Sequence, residues 1–140
     1  MALRCIDLMI GDWVMLYDRP RKVEIIYDNG RVQVGCIEED CDELEPIPLT
    51  PEILEKNGWI PDNSNDHLRI YNLRYGKGYS TIAISDDGKL SIEVSAEIAK
   101  KDKRGRADLV TFARDWCNGF CVHELQHALK LCGIDKEIVI

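Results

Sequence analysis

Residues 68–94 read LRIYNLRYGKGYSTIAISDDGKLSIEV, and the fold class turns on this stretch. Three runs, 68–75, 79–85 and 89–94, are rich in β-branched and aromatic residues and alternate apolar with polar positions. Gly76-Lys77-Gly78 and Asp86-Asp87-Gly88 separate them, and glycine supplies the positive φ that tight turns require. The spacing predicts an antiparallel meander.

Upstream, residues 11–16 (GDWVML) read as a short strand, and 22–27 and 31–37 flank Asp28-Asn29-Gly30. Asn-Gly between β-branched runs predicts a hairpin closed by a type I′ turn. A Gly-Asp-x-Val strand leading into such a hairpin resembles the start of a small SH3-like barrel. Residues 38–45 hold six carboxylates and read as a solvated acidic connector. Pro46-Ile47-Pro48-Leu49 must be extended, because each proline disfavours helix in the residue before it. Thr50-Pro51 then opens a helix, with Thr50 as cap and Pro51 in the first turn, and Asn57-Gly58 ends it. Trp59 and Ile60 are expected to turn back onto the core. In the polar loop 61–67, Asp62, Ser64 and Asp66 imitate the first ligands of a calcium loop, but His67 and Leu73 stand where glycine and glutamate are needed.

Downstream, 96–106 (AEIAKKDKRGR) reads as a short helix decaying into a loop, and 108–116 fits strand or helix equally. The last element is a helix over about 121–131, ended by Gly133. The expectation is an α+β protein: one compact domain over 1–140, with SH3-like N-terminal hairpins, an antiparallel meander and two short helices, the second near the C-terminus. A chain of 140 residues with 45% hydrophobic and 31% charged residues can bury such a core.

No apolar run is long enough to cross a membrane, and Asp7 and Asp12 interrupt any signal-peptide core, so a cytoplasmic location is expected. A net charge of −7 disfavours nucleic acid as a partner. In a reducing cytosol Cys5, Cys36, Cys41, Cys117, Cys121 and Cys132 are expected as free thiols.

His123-Glu124-Leu125-Gln126-His127 matches the H-E-x-x-H pattern of zinc peptidases. Imidazoles four residues apart share a helix face and can grip one zinc, and the glutamate can serve as base on a metal-bound water. Under that reading His123 and His127 are ligands and Glu124 is catalytic. Yet a catalytic zinc needs a third protein ligand, and the residues after His127 offer only Cys132, Asp135 and Glu137, none suitably placed. The helix also has a packing role, because Val122, Leu125, Leu129 and Cys132 share one face while both histidines point the opposite way. Two amphipathic imidazoles, facing solvent or hydrogen-bonded, are the simpler expectation.

Weaker sets remain. Cys36 with Cys41, and Cys117 with Cys121 and His123, are spaced too loosely for a zinc ribbon. Arg69, Arg74, Tyr75, Lys77 and Tyr79 gather cations and aromatics about the Gly76-Lys77-Gly78 turn, a composition suited to an anionic ligand.

The segments 46–58 (PIPLTPEILEKNG) and 122–129 (VHELQHAL), together with Ile10-Gly11-Asp12-Trp13-Val14, resemble a group of small uncharacterised proteins of phages, prophages and mobile elements of Bacteroidetes. Many members of that group carry His-Gln-Leu-Gln-Asn where this chain has residues 123–127, so the resemblance implies no shared zinc chemistry. It implies action inside a bacterial host. The expected function is a non-catalytic binding module for a host protein or small ligand, without a cofactor, counter-defence being one version of it. The alternative is a minimal zinc-dependent hydrolase built on His123, Glu124 and His127.

Overall fold

The computed structural model describes residues 7–101 and 107–140. Five short strands form the first antiparallel sheet: β1 (Trp13–Leu16), β2 (Arg19–Ile26), β3 (Arg31–Val34), β4 (Ile37–Asp40) and β5 (Glu45–Pro46), in the order β4-β3-β2-β1-β5. A 3-10 turn at Cys41–Glu43 precedes β5, which returns to pair with β1, the arrangement of an SH3-like barrel. Alternation explains its core: Val14 and Leu16 on β1 and Val32 and Val34 on β3 point inward, joined by Leu8, Val23, Cys41 and Leu44.

The type I′ turn falls elsewhere than the sequence suggested. Tyr17 and Asp18 both have positive φ (48° and 61°) and link Leu16 to its partner Arg19 as a two-residue hairpin loop. Left-handed backbone is costly for a tyrosine, and the Tyr17 hydroxyl donates to Glu39 Oε2 at 2.6 Å across the barrel surface. At Asp28-Asn29-Gly30 only Gly30 is left-handed, and Tyr27 N–H donates to Arg31 O to close a longer loop. The acidic connector is likewise corrected, since most of it is β4 and the 3-10 turn. Arg31, opposite Asp40 across the β3–β4 ladder, reaches both Glu38 and Asp40 and relieves their repulsion.

The meander is present and longer than expected. β6 (Ile60–Asp62), β7 (Leu68–Tyr75), β8 (Gly78–Ser85), β9 (Lys89–Lys101) and β10 (Ala107–Asn118) form the second antiparallel sheet, in the order β10-β9-β8-β7-β6. The helix expected over 96–106 is not formed: residues 96–101 continue β9, and 102–106 lie outside the described residues. The β10 ladder along this stretch, continuing a β9 that is flanked by β8 as far as Ala96, outweighs the helix propensity of its Ala, Glu and Lys residues. The ambiguous 108–116 is strand. Ile60 stays exposed, whereas Trp59 is buried as expected.

Helix α1 (Pro51–Lys56) begins as its sequence dictates, with Thr50 Oγ1 accepting from Ile53 N–H at 3.3 Å and Pro51 in the first turn. Helix α2 (Val122–Leu131) carries Val122, Leu125, Ala128 and Leu129 into the core under the second sheet, beside Ile82, Ile92, Val94 and Trp59. Each fully buried Leu or Val there contributes about 1.5–3 kcal/mol as an upper figure. The chain therefore has two apolar clusters, and α2 stands between them. No described helix is long and apolar enough to cross a membrane.

Candidate functional site at the helix–barrel junction

The face of α2 opposite its core stripe is only partly open to solvent. It packs on the turn at 9–12 that leads into β1. Gly11 (φ 94°) lets that turn close, with Asp12 N–H donating to Met9 O at 3.1 Å. Gln126 clamps it from both sides: its Oε1 accepts from Trp13 N–H and its Nε2 donates to Gly11 O, each at 2.9 Å. Lys130 Nζ donates to Ile10 O. His127 Nε2 lies 2.7 Å from Asp12 Oδ2, which also accepts from Met9 N–H at 2.7 Å.

The polar centre of this junction is buried. Asp12 is fully buried, and His123 is 6% exposed, in contact with His127 through an edge-to-face ring pair. His123 is thus neither solvent-facing nor fully hydrogen-bonded. Its Nδ1 and Asp12 Oδ1 are buried with no hydrogen-bond partner among the described residues, each of which costs on the order of 1–3 kcal/mol. Burial holds the His123 pKa below the ordinary imidazole value, and the neighbouring His127 adds to this; the Asp12, Glu124 and Asp7 carboxylates oppose it.

Glu124 is engaged in structure. It stands at the third position of α2, where Oε1 accepts from Cys121 N–H at 3.3 Å while the Cys121 side chain accepts from the Glu124 N–H. This is a capping box with cysteine in the place of serine. The other oxygen, Oε2, pairs with the Arg114 guanidinium on β10. The three residues of the H-E-x-x-H pattern therefore have separate duties: an N-terminal cap, a buried ring and a partner for Asp12. Among the described residues, no three His, Cys, Asp or Glu side chains converge as metal ligands.

The cysteines divide as well. Cys36, Cys121 and Cys132 are not in disulfides, but Cys41 is disulfide-bonded, against the expectation of reduced cysteines throughout. Cys41 is thereby removed from any zinc set with Cys36. Cys5 and the Cys117 side chain lie outside the described residues.

The suggested anion cluster separates over the second sheet. Arg74 and Tyr79 face each other across the β7–β8 ladder and line an open cleft of about 600 Å³ with Ile60, Asp62, Asn72 and Thr81. Tyr75 and Lys77 line a different cleft of about 410 Å³, against Cys132 and Ile134, where Lys136 sits over the Tyr75 ring. Arg69 lines neither, placed near the other end of β7.

Sequence reasoning missed Asp12, Gln126 and Arg114. The only signal for them was angular: Gln126, His127 and Lys130 share the helix face away from the core. No local pattern links that face to Asp12, 115 positions earlier. Comparison with protein-family models, with curated proteins and with solved structures finds no match.

Proposed function

We propose that this chain is a non-catalytic binding module of the phage or mobile-element kind, acting on a host protein or small ligand in the bacterial cytoplasm. The observation that carries the reading is the engagement of Glu124. A general base must have its carboxylate free to face a metal-bound water, and here both oxygens are held, by the Cys121 N–H and by Arg114. His127 presents Nε2 to Asp12 in the same way. The motif joins α2 to the barrel, and the surface available to a partner lies on the second sheet. Its cleft offers Arg74 beside the exposed Tyr79 ring and the apolar Ile60, groups suited to an anionic or aromatic side chain.

The test is metal content and hydrolysis in tag-free protein. Absence of stoichiometric zinc, with no peptidase or esterase turnover sensitive to Glu124→Ala, is the expected result. One zinc per chain, lost in His127→Asn, would overturn the reading in favour of a hydrolase built on His123, Glu124 and His127.

A further inference from the structure

The two edges of the second sheet are built differently. At one end β6 is three residues long and carries Pro61, which has no N–H to offer. Short length and proline are the ordinary means of blocking strand addition. At the other end β10 is twelve residues long, has no proline, and pairs in unbroken register with β9 from Leu109 to Arg114. Over 110–116, none of its backbone groups is hydrogen-bonded to a described residue beyond β9. A row of N–H and C=O groups unpaired among the described residues dictates the conformation of whatever satisfies it, namely another extended strand.

Charge gives that strand its composition. Glu93 and Glu97 on β9 and Asp115 on β10 lie on the sheet face away from α2. This follows from the register, which sets Glu93 beside Thr81 and Ala113, and Glu97 beside Leu109. Ser91 donates to Asp115, while Glu93 and Glu97 have no ion-pair partner among the described residues. Ser95, Thr111 and Ala113 share this face with them, and Leu109 stands next to Glu97. At the end of the ladder a bulge between Arg114 and Cys117 sets Trp116 at φ 44° with its indole 47% exposed. Left-handed backbone at a tryptophan is a strained arrangement, and it presents an aromatic face to which a cation can bind.

We infer that the β10 edge takes up an extended, basic segment of a partner protein as a sixth strand of the sheet. Main-chain hydrogen bonds to 110–114 supply the affinity, and lysine or arginine side chains on one face of the added strand meet Glu93, Glu97 and Asp115. This rests on the binding-module reading and adds a second contact surface, at the sheet edge away from the Arg74–Tyr79 cleft. The metal assay decides that reading, whereas the following experiment decides this one.

The probe is a synthetic ten-residue peptide alternating lysine with valine, beside its glutamate–valine counterpart and a lysine–valine version N-methylated at alternate amides. Binding to the full chain is read by calorimetry and by amide hydrogen exchange. The expected result is binding of the lysine peptide alone, with slowed exchange at 110–114. Reversal of two exposed charges, Glu93→Lys with Asp115→Lys, should weaken it roughly fivefold to tenfold. Failure of the lysine peptide to bind, or equal binding of the N-methylated peptide, overturns the inference. So does a concentration-dependent dimer that protects the same amides without peptide, since a second copy would then own the edge.

Discussion

The junction makes a quantitative prediction through His127 and Asp12. Replacing His127 with alanine leaves the Asp12 carboxylate fully buried, with Met9 N–H as its remaining donor and Oδ1 already unpartnered. Breaking a buried pair from one side costs about 3–5 kcal/mol, and the lower end applies because the His127 side chain is 24% exposed and water is near. Replacing Asp12 with alanine strands less. The Met9 N–H loses its acceptor, and the imidazole can turn toward solvent, for a cost of about 2 kcal/mol. The double variant removes both charge and partner, so its cost should be near that of His127→Ala alone, with a coupling of about 2 kcal/mol. Equilibrium urea unfolding of the four proteins at neutral pH measures each value. Additivity within about 0.5 kcal/mol would refute the reasoning, because it would mean the two groups do not interact.

Four further outcomes follow from the same structure. His123 has a folded-state pKa depressed by burial, so the unfolded chain takes up the proton first, and the stabilisation present above about pH 6.5 is lost as pH falls through the depressed value; the urea midpoint should drop from pH 7.5 to 5.5, and His123→Gln should reduce that drop. Glu124→Ala removes a cap and a part-exposed ion pair and should cost about 1 kcal/mol, while Glu124→Gln, which keeps a cap acceptor, should cost less by the same unfolding assay. Gly78→Ala would place a methyl against the Ile134 side chain and should cost about 1–3 kcal/mol, with Ile134→Ala restoring part of the loss when the two are combined. Alkylation of the denatured, unreduced protein should label Cys36, Cys121 and Cys132, with Cys41 labelled only after reduction; labelling of Cys41 without reductant would show its disulfide is absent in solution.

What the sequence showed of the fold depended on the range of the forces involved. Thr50-Pro51 and Asn57-Gly58 bracket α1 because a cap and a left-handed stop act over three or four residues. The turns around Gly76 and Gly88 were legible for the same reason. The end of β9 was not, because 96–101 has a helix-forming composition and becomes strand through pairing with β10, joined by β8 only at Ala96, which no local window contains. The hairpin at Tyr17-Asp18 was hidden by its own residues. Neither residue advertises a type I′ turn as Asn-Gly does, and the hydrogen bond from Tyr17 to Glu39 spans 22 positions.

The H-E-x-x-H segment shows how a motif can be correct about geometry and silent about use. Helical spacing does put His123 and His127 on one face, and their rings do meet. What the spacing cannot carry is the identity of the surface opposite. In a zinc site that surface must bring a third ligand and leave a carboxylate free; here it brings the Asp12 carboxylate to His127 at hydrogen-bond distance, while Arg114 and the Cys121 N–H engage Glu124. Gln126, the residue the pattern leaves unspecified, makes the two best-formed contacts to the barrel backbone. If α2 serves to lock the barrel to the second sheet, then Gln126→Ala should weaken the fold by about 1–2 kcal/mol through two unpaired, half-buried backbone groups. A metal-centred helix would instead tolerate that change while failing at either histidine, so the rank order of Gln126→Ala, His123→Gln and His127→Asn in unfolding experiments, run with and without chelator, separates a structural lock from a catalytic centre.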